Sequence, residues 1–301
     1  MKIGSVAWGW TPTPEDMPTP GSLEKIADQV RSLGYDFIDY LSDYQSLDGY
    51  FTPAACRKLR DHAELLGMYI GGFVFQSNLW NDPDPAVTKR QLDYFEKCCD
   101  AANALGAGIV SCIIPGPYGA RPSRRPSPSD KLATNLPADY DWSADWHRFV
   151  TSLSRAAEIA KSHSLRVAME CFPRSLCSTP HAMLQLLADV NTGNLGIQLD
   201  TAHLTNQRID VETAIYMLGP DRLFHIHAKD TDAVTRDNLA PGTGIVDYRA
   251  VFQALKNVGY TGNVSVEVEF STNPALYMKQ GLAHVKECLG MVDAMPHWGN
   301  L

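Results

Sequence analysis

Four side chains of types that bind divalent cations each follow a short, largely apolar run in the second half of the sequence. Glu170 follows residues 167–169, Asp200 follows 197–199, His227 follows 223–226 and Glu267 follows 264–266. A single carboxylate in such a place is commonly solvated at the mouth of a loop. Four that converge are different, because buried carboxylates repel one another unless a cation or shared protons lie between them. Three carboxylates and one imidazole form a hard, oxygen-rich donor set, which predicts one divalent ion (Mn²⁺ first, Mg²⁺ or Co²⁺ as alternatives) rather than structural zinc.

These side chains converge only if the runs before them are strands that end at one edge. Apolar runs alternate with helical patterns along the chain, which predicts parallel strands joined by right-handed helical crossovers. Strands are predicted at residues 3–8, 37–40, 68–75, 109–114, 166–171, 195–200, 223–228 and 264–270. Eight strand–helix units favour an α/β fold with a single (β/α)8 TIM barrel, and we expect one domain over residues 1–301. Active sites of such barrels lie at the C-terminal strand ends, where the four side chains would meet.

An extended, Pro-rich insertion is predicted after the fourth strand, at about residues 115–141. Six prolines stand there among Gly, Ser and Arg, and unstructured loops of this length inside a compact domain are often functional. The segment follows a strand and therefore emerges at the rim of the predicted site. Two interpretations are open: a lid or subunit contact that shapes substrate choice, or a disordered surface insertion.

The composition excludes several classes of protein. With 26 Lys and Arg against 34 Asp and Glu, the 301-residue chain has a net charge of −8, which opposes attraction to nucleic acid and to anionic membranes. No apolar run approaches the length of a membrane span, about 18–20 residues. The seven cysteines form no CxxC pair, and the N-terminus lacks a signal-peptide pattern. Both features favour a cytoplasmic location.

Several motifs occur together, in a fixed order, on the predicted strands and turns. They are Met169-Glu170, Leu199-Asp200-Thr201-Ala202-His203, His225-Ile226-His227-Ala228-Lys229-Asp230, Gly242-Thr243-Gly244-Ile245-Val246-Asp247, and Gly259-Tyr260-Thr261-Gly262 leading to Val266-Glu267-Val268-Glu269. In this combination the sequence resembles the xylose-isomerase-like TIM barrel family of sugar phosphate isomerases and epimerases, whose relatives include ketose 3-epimerases, inosose dehydratases and type IV endonucleases. The resemblance covers nearly the whole chain in topology and is motif-specific over about residues 166–270.

The resemblance implies a role for each residue of the set. Glu170, Asp200, His227 and Glu267 would bind one divalent ion. Glu170 and Glu267 would also be the catalytic pair that transfers protons on opposite sides of the substrate. His203 would contact a substrate hydroxyl or carbonyl.

The sequence also departs from known members of that family. Arg174 matches a substrate-binding arginine four residues after the first glutamate of ketohexose 3-epimerases. Leu176 and Ala233, however, stand where those enzymes carry a second glutamate and another arginine. The additional zinc-binding histidines of the endonucleases are missing, which argues against DNA repair. The substrate is therefore expected to differ from a free ketohexose.

Other polar residues near the predicted strand ends have two interpretations each. Lys229 would reach a substrate oxyanion or phosphate, or pair with Asp230. Glu269, two residues beyond Glu267 and on the same face, would bind substrate or support a ligand. Trp8 would line a sugar-binding pocket or fill the mouth of the barrel.

Two further features are expected to be structural. His225 is expected to face the surrounding helices rather than the site. The turn around Gly242 and Gly244 would cradle a phosphate with its N–H groups, or simply precede a helix, which is the preferred interpretation.

The function that follows is a divalent-metal-dependent sugar isomerase or epimerase, working by proton abstraction next to a carbonyl through a metal-stabilised enediolate. A lyase or dehydratase is the alternative, which would eliminate water or an aglycone from a keto-sugar or 3-keto-glycoside. A non-catalytic sugar-binding or partner subunit is the second alternative. The expected partner is a small carbohydrate, not nucleic acid or a membrane. A homo-oligomer and a complex with a partner subunit are both open.

Overall fold

The computed structural model describes residues 1–11, 20–77, 79–122, 134–234, 238–269 and 271–294. The strands in these ranges are β1 (Lys2–Val6), β2 (Phe37–Ser42), β3 (Tyr69–Phe75), β4 (Ile109–Ile113), β5 (Arg121–Pro122), β6 (Thr134–Asn135), β7 (Arg166–Glu170), β8 (Leu195–Asp200), β9 (Leu223–Ala228) and β10 (Asn263–Val266). The helices are α1 (Pro20–Leu33), α2 (Tyr44–Gly49), α3 (Pro53–Leu65), α4 (Pro85–Leu105), α5 (Trp142–Ser162), α6 (Pro180–Val190), α7 (Thr201–Asn206), α8 (Val211–Leu218), α9 (Tyr248–Asn257) and α10 (Pro274–Ala294). No helix in the described ranges has the length and apolar character to cross a membrane.

Among the described strands, eight form a closed barrel in the order β1-β10-β9-β8-β7-β4-β3-β2. The registers of neighbouring strands are parallel, as in β7 with β8 and β9 with β10. Helices follow the strands along the chain. The predicted fold class, a single (β/α)8 TIM barrel, is therefore confirmed.

The chain divides into two compact units. The first comprises residues 1–40, 61–71 and 199–301 and includes β1, β9, β10, α1 and α7–α10. The second comprises residues 41–60 and 72–198 and includes β4, β7, α2 and α4–α6. Glu170 and Arg174 belong to the second unit, and the other predicted site residues belong to the first.

Close packing inside the first unit depends on two glycines beside one ring. Phe37 on β2 is fully buried. A Cβ atom at Gly4 would lie 2.2 Å from the Phe37 ring, and one at Gly71 would lie 2.3 Å from it. Both distances are far shorter than van der Waals contact, so only glycine allows the ring to pack between these strands.

The helix boundaries follow the local sequence. The Asp84 side chain accepts a hydrogen bond from the Ala86 N–H at the start of α4, and Gly106 ends that helix in the left-handed conformation (φ 74°), as expected for an Asp cap and a terminal glycine. The short helices α2 and α7 were not predicted from the sequence. α7 forms because the Asp200 carboxylate accepts a hydrogen bond from the His203 N–H, which caps a helix too short to show a periodic pattern.

Both ends of the predicted insertion are fixed within the second unit by one buried carboxylate. Asp145 on α5 accepts hydrogen bonds from the Tyr118 N–H (2.8 Å) and the Tyr140 hydroxyl (2.9 Å). β5 and β6 pair antiparallel between these ends. Residues 123–133 lie outside the described part of the chain, so the lid interpretation stays a prediction.

A second buried carboxylate organises the segment after β9. Asp230 accepts four backbone N–H bonds: Oδ1 from Thr231 (2.8 Å) and Val246 (3.1 Å), and Oδ2 from Gly242 (2.9 Å) and Gly244 (3.0 Å). A Cβ at Gly244 would lie 2.3 Å from Asp230 Oδ1, so glycine is needed for this approach. The N–H groups that a phosphate would have used are therefore bound to Asp230.

We expect Asp230→Asn to lower the free energy of unfolding by about 2–4 kcal/mol, because the amide has one acceptor oxygen and its NH₂ group would face backbone donors. Denaturant unfolding measures the loss. The control is Asp221→Asn at an exposed position, which should change stability by less than about 0.5 kcal/mol. A loss below about 1 kcal/mol for Asp230→Asn would contradict this account.

Candidate metal centre

Three of the four predicted ligands meet at the C-terminal ends of neighbouring strands in the first unit. Asp200 is the last residue of β8, His227 is the fifth residue of β9, and Glu267 directly follows β10. Their exposed fractions are 1%, 1% and 3%. His227 Nδ1 lies 2.7 Å from Glu267 Oε2. Strand ends alone therefore bring these side chains together.

Glu170 is the last residue of β7, which pairs with β8 through Glu170 and Gln198. One ligand atom from each of Asp200, His227 and Glu267 lies within 4.8 Å of the others, and all four predicted ligands are buried. The donor set of three carboxylates and one imidazole is the hard, oxygen-rich type that suits Mn²⁺, Mg²⁺ or Co²⁺. The residues present fit a divalent ion.

Lys229 brings a positive charge directly into this cluster. Its side chain is 3% exposed, and Nζ lies 3.3 Å from Asp200 Oδ2 and 3.1 Å from Glu267 Oε1. Burial opposes ionisation of Glu267, but the Lys229 ammonium and His227 outweigh that effect and hold the pKa of Glu267 well below its usual range. Lys229 thus pairs with the predicted ligands rather than with Asp230, which the sequence had suggested as one alternative.

The remaining first-unit residues predicted to touch substrate lie around the same cluster. His203 Nε2, on α7, is 3.5 Å from Asp200 Oδ2. Trp8 Nε1 donates a hydrogen bond to Glu267 Oε1 (3.2 Å), and the Trp8 ring centroid is 5.9 Å from that of His227. Glu269 Oε2 is 3.8 Å from Lys229 Nζ, at the edge of the cluster where the Glu269 side chain is 21% exposed.

Arg174 has a different setting. It is an exposed residue of the second unit with φ of 67°, in the left-handed region. Its contact with substrate remains a prediction.

His225 faces the barrel interior, and the expectation that it faces the helices is wrong. Its Nε2 lies 3.0 Å from Asp39 Oδ2 and 3.0 Å from Ser265 Oγ. In the strand order β9 and β2 are separated by β10 and β1, so a contact between His225 and Asp39 crosses the interior. The physical reason is the two-residue period of a strand, which places His225 on the same face as His227.

Asp39 is the functional-site neighbour that sequence reasoning missed. It is 1% exposed, and Asp39, His225 and His227 each offer a ligand-type atom within 4.8 Å of the others. An aspartate inside the otherwise apolar predicted strand 37–40 was the available signal. Together with Ser265 it forms a polar layer beneath the cluster.

The chain is similar to known proteins over most of its length. Residues 27–288 match the family model described as xylose isomerase-like TIM barrel. An L-ribulose 3-epimerase of Methylomonas sp. (strain DH-1) is 27% identical over 280 residues, which cover 89% of this chain and 84% of the relative. An inosose dehydratase of Yersinia enterocolitica serotype O:8 is 23% identical over 321 residues, covering 97% and 98%. A solved structure of an L-ribulose 3-epimerase has a TM-score of 0.77 at 21% identity, covering 97% of this chain and 95% of that one, which shows the shared fold.

We expect Lys229→Met, studied with a chelator present, to lower the free energy of unfolding near neutral pH by about 3–5 kcal/mol, because buried carboxylates lose their cation. The folded-state pKa of Glu267 lies below the unfolded value, so its ionisation stabilises the fold above the unfolded pKa and ceases to do so as pH falls through the folded one. The difference between wild type and variant should therefore shrink below about pH 4.

The control for this prediction is Lys89→Met, which removes an exposed ion pair with Asp93 and should cost less than about 0.5 kcal/mol. Denaturant unfolding at several pH values measures both variants. A loss for Lys229→Met that does not change with pH would show that the ammonium acts only through packing.

Proposed function

Because the chain belongs to the xylose isomerase-like TIM barrel family, we propose that it is a divalent-metal-dependent isomerase or epimerase that acts on a sugar. The observation that carries the proposal is the buried cluster of Asp200, His227 and Glu267, with ligand atoms within 4.8 Å of one another, to which Glu170 would add the fourth donor. The similarity to a sugar epimerase over 89% of the chain supports it. Residues 1–301 would act as one domain.

The four clustered residues would hold the ion, with Mn²⁺ the first choice. When bound, a divalent ion supplies Lewis acidity that polarises a sugar carbonyl and acidifies the neighbouring C–H. The protein side chains supply the proton transfers. The nearby ammonium keeps Glu267 ionised, which is the protonation state that a proton acceptor requires, while the lowered pKa reduces its basicity.

Glu170 ends β7 and Glu267 directly follows β10, and these two strands are the ends of a run of four neighbouring strands. In the proposal one glutamate, ionised at the start, removes the proton next to the carbonyl, and the other, protonated at the start, donates its own proton to the opposite face or to the neighbouring carbon, so that the pair exchanges protonation states. Trp8 holds the carboxylate of Glu267 by its indole N–H. Substrate oxygens would be bound by His203, Lys229, Glu269 and Arg174.

A dehydratase is the second candidate, since an inosose dehydratase matches 97% of the chain. It would use the same first proton abstraction and then expel a hydroxyl or an aglycone from the next carbon. A non-catalytic sugar-binding subunit would need no pair of buried glutamates. Product analysis separates isomerisation from elimination, because only elimination releases water or an aglycone.

We expect His227→Ala to lose the bound ion. Purified protein is dialysed against Mn²⁺, then against buffer, and its metal content is measured by mass spectrometry. The matched control is His62→Ala, which removes an imidazole paired with Asp28 at the surface and should retain about one ion per chain, because its position lies outside the ligand set. Full retention by a folded His227→Ala protein would sink the assignment of the four ligands.

We expect Glu170→Gln and Glu267→Gln each to reduce turnover by roughly 10²–10⁴-fold, because each removes a general acid–base group. The readout is NMR detection of deuterium uptake from D₂O at the carbon next to the carbonyl, across a panel of keto-sugars and 3-keto-glycosides. Glu158→Gln, at an exposed site on α5, should exchange at the wild-type rate. Near-normal exchange in both site variants with metal bound would mean that other groups carry the proton.

A further inference from the structure

A cavity of about 630 Å³ lies in the first unit beside the cluster, between the segments that follow β9 and β10. Its lining includes Asn238 and Thr243 from the first segment, Glu269 and Thr272 from the second, and Tyr277 from α10. The volume is within the range of small-molecule sites, about 300–1,000 Å³. Both segments leave the C-terminal ends of barrel strands, so the cavity opens at the rim where the four clustered residues lie.

Glu269 joins this cavity to the cluster. Its side chain lines the cavity, and its Oε2 is 3.8 Å from Lys229 Nζ, which is itself 3.1 Å from Glu267 Oε1. A molecule that reacts at Glu267 and extends past Lys229 would therefore enter the cavity. Glu269 therefore links the lining of the cavity to the charged cluster.

We propose that this cavity is a second sugar subsite, so that the substrate is an uncharged keto-sugar joined through a glycosidic bond to another sugar ring. The inference rests on the proposed function and names its substrate class. The reacting ring would lie at the four clustered residues, and the second ring would lie between the two segments.

The chemistry of the lining favours a neutral polyol over an anion. Among the described residues that line the cavity there are two carboxylates, Asp232 and Glu269, and neither a lysine nor an arginine. A phosphate or carboxylate group would meet no cationic side chain among these described lining residues, and the nearby Lys229 ammonium already contacts the carboxylates of Glu267 and Glu269. The lining also offers hydroxyl and amide groups, which pair with sugar hydroxyls through neutral hydrogen bonds.

Apolar lining atoms fit the other face of a sugar ring. Tyr277 is 36% exposed, and Leu239 and Val268 also line the cavity. Ligand sites commonly combine such apolar surfaces with a few placed polar groups. A pyranose has this dual character, since its C–H face is apolar and its edge carries hydroxyls.

The test compares three probes with the metal-loaded enzyme: a 3-keto disaccharide of two glucose units, methyl 3-keto-glucoside, and the 6-phosphate of the latter. Deuterium exchange gives kcat/KM for each probe. The disaccharide should exceed the methyl glycoside by roughly tenfold or more, because the second ring adds contacts. The phosphate should give no advantage over the methyl glycoside. Equal values for disaccharide and methyl glycoside, or a preference for the phosphate, would overturn the inference.

Thr272→Trp fills the cavity from an exposed position. It should lower the ratio of kcat/KM for the disaccharide to kcat/KM for the methyl glycoside by about tenfold, chiefly through KM. The control Ser32→Trp, on the exposed face of α1, should keep the wild-type ratio. An unchanged ratio in Thr272→Trp would contradict the subsite.

Calorimetric titration with unreactive maltose separates this inference from the proposed reaction. If no probe exchanges deuterium but wild type binds maltose and Thr272→Trp does not, the subsite stands and the isomerase proposal fails. If probes exchange but neither the rate ratio nor maltose binding depends on Thr272, the reaction stands and the subsite is wrong. If neither exchange nor maltose binding is observed, both proposals are rejected.

Discussion

The constraint on which the site depends is the burial of several carboxylates in one small volume. Asp200 and Glu267 are 1% and 3% exposed, and ionised carboxylates in such surroundings repel one another strongly. Lys229 offsets part of this repulsion, since its ammonium lies within 3.3 Å of Asp200 and Glu267 oxygens. The backbone around Lys229 holds that lysine in place, and this requirement shapes the neighbouring segments.

Lys229 is fixed on both sides along the chain. The Thr201 hydroxyl accepts a hydrogen bond from the Lys229 N–H (3.1 Å) and donates to the Lys229 carbonyl (2.6 Å). On the other side Asp230 binds four backbone N–H groups of the segment after β9. Since Thr201 directly follows Asp200, the same two residues place a ligand carboxylate and its counter-cation. The positions of these charges are therefore set by hydrogen bonds that fix the backbone, not by long, mobile side chains alone.

The sequence was sufficient for the features that depend on local order. The ends of β8 and β9 were predicted at Asp200 and Ala228 because short buried strands show as apolar runs, and the strand-end rule then placed the ligands at one rim. Contacts between distant segments were not accessible in this way. Asp39 contacts His225 only when β2 and β9 enclose the same barrel interior. The prediction for His225 was wrong because residues two apart on a strand were taken to point to opposite faces. Helix α7 was missed because its six residues are too few to show a periodic pattern.

The charges of the cluster also explain why a lysine belongs in a metal-type site. Counted as formal charges, three carboxylates and one ammonium carry two net negative charges, which a divalent cation held as proposed would balance. Without the lysine the same cation would leave one uncompensated negative charge in buried surroundings, where such a charge is costly. Replacing His227 by a fourth carboxylate would create the same imbalance. Glu269 is left out of this charge count because its side chain reaches solvent, where its charge is screened. The formal charges of Lys229, the three carboxylates and the imidazole therefore agree with the proposed divalent ion.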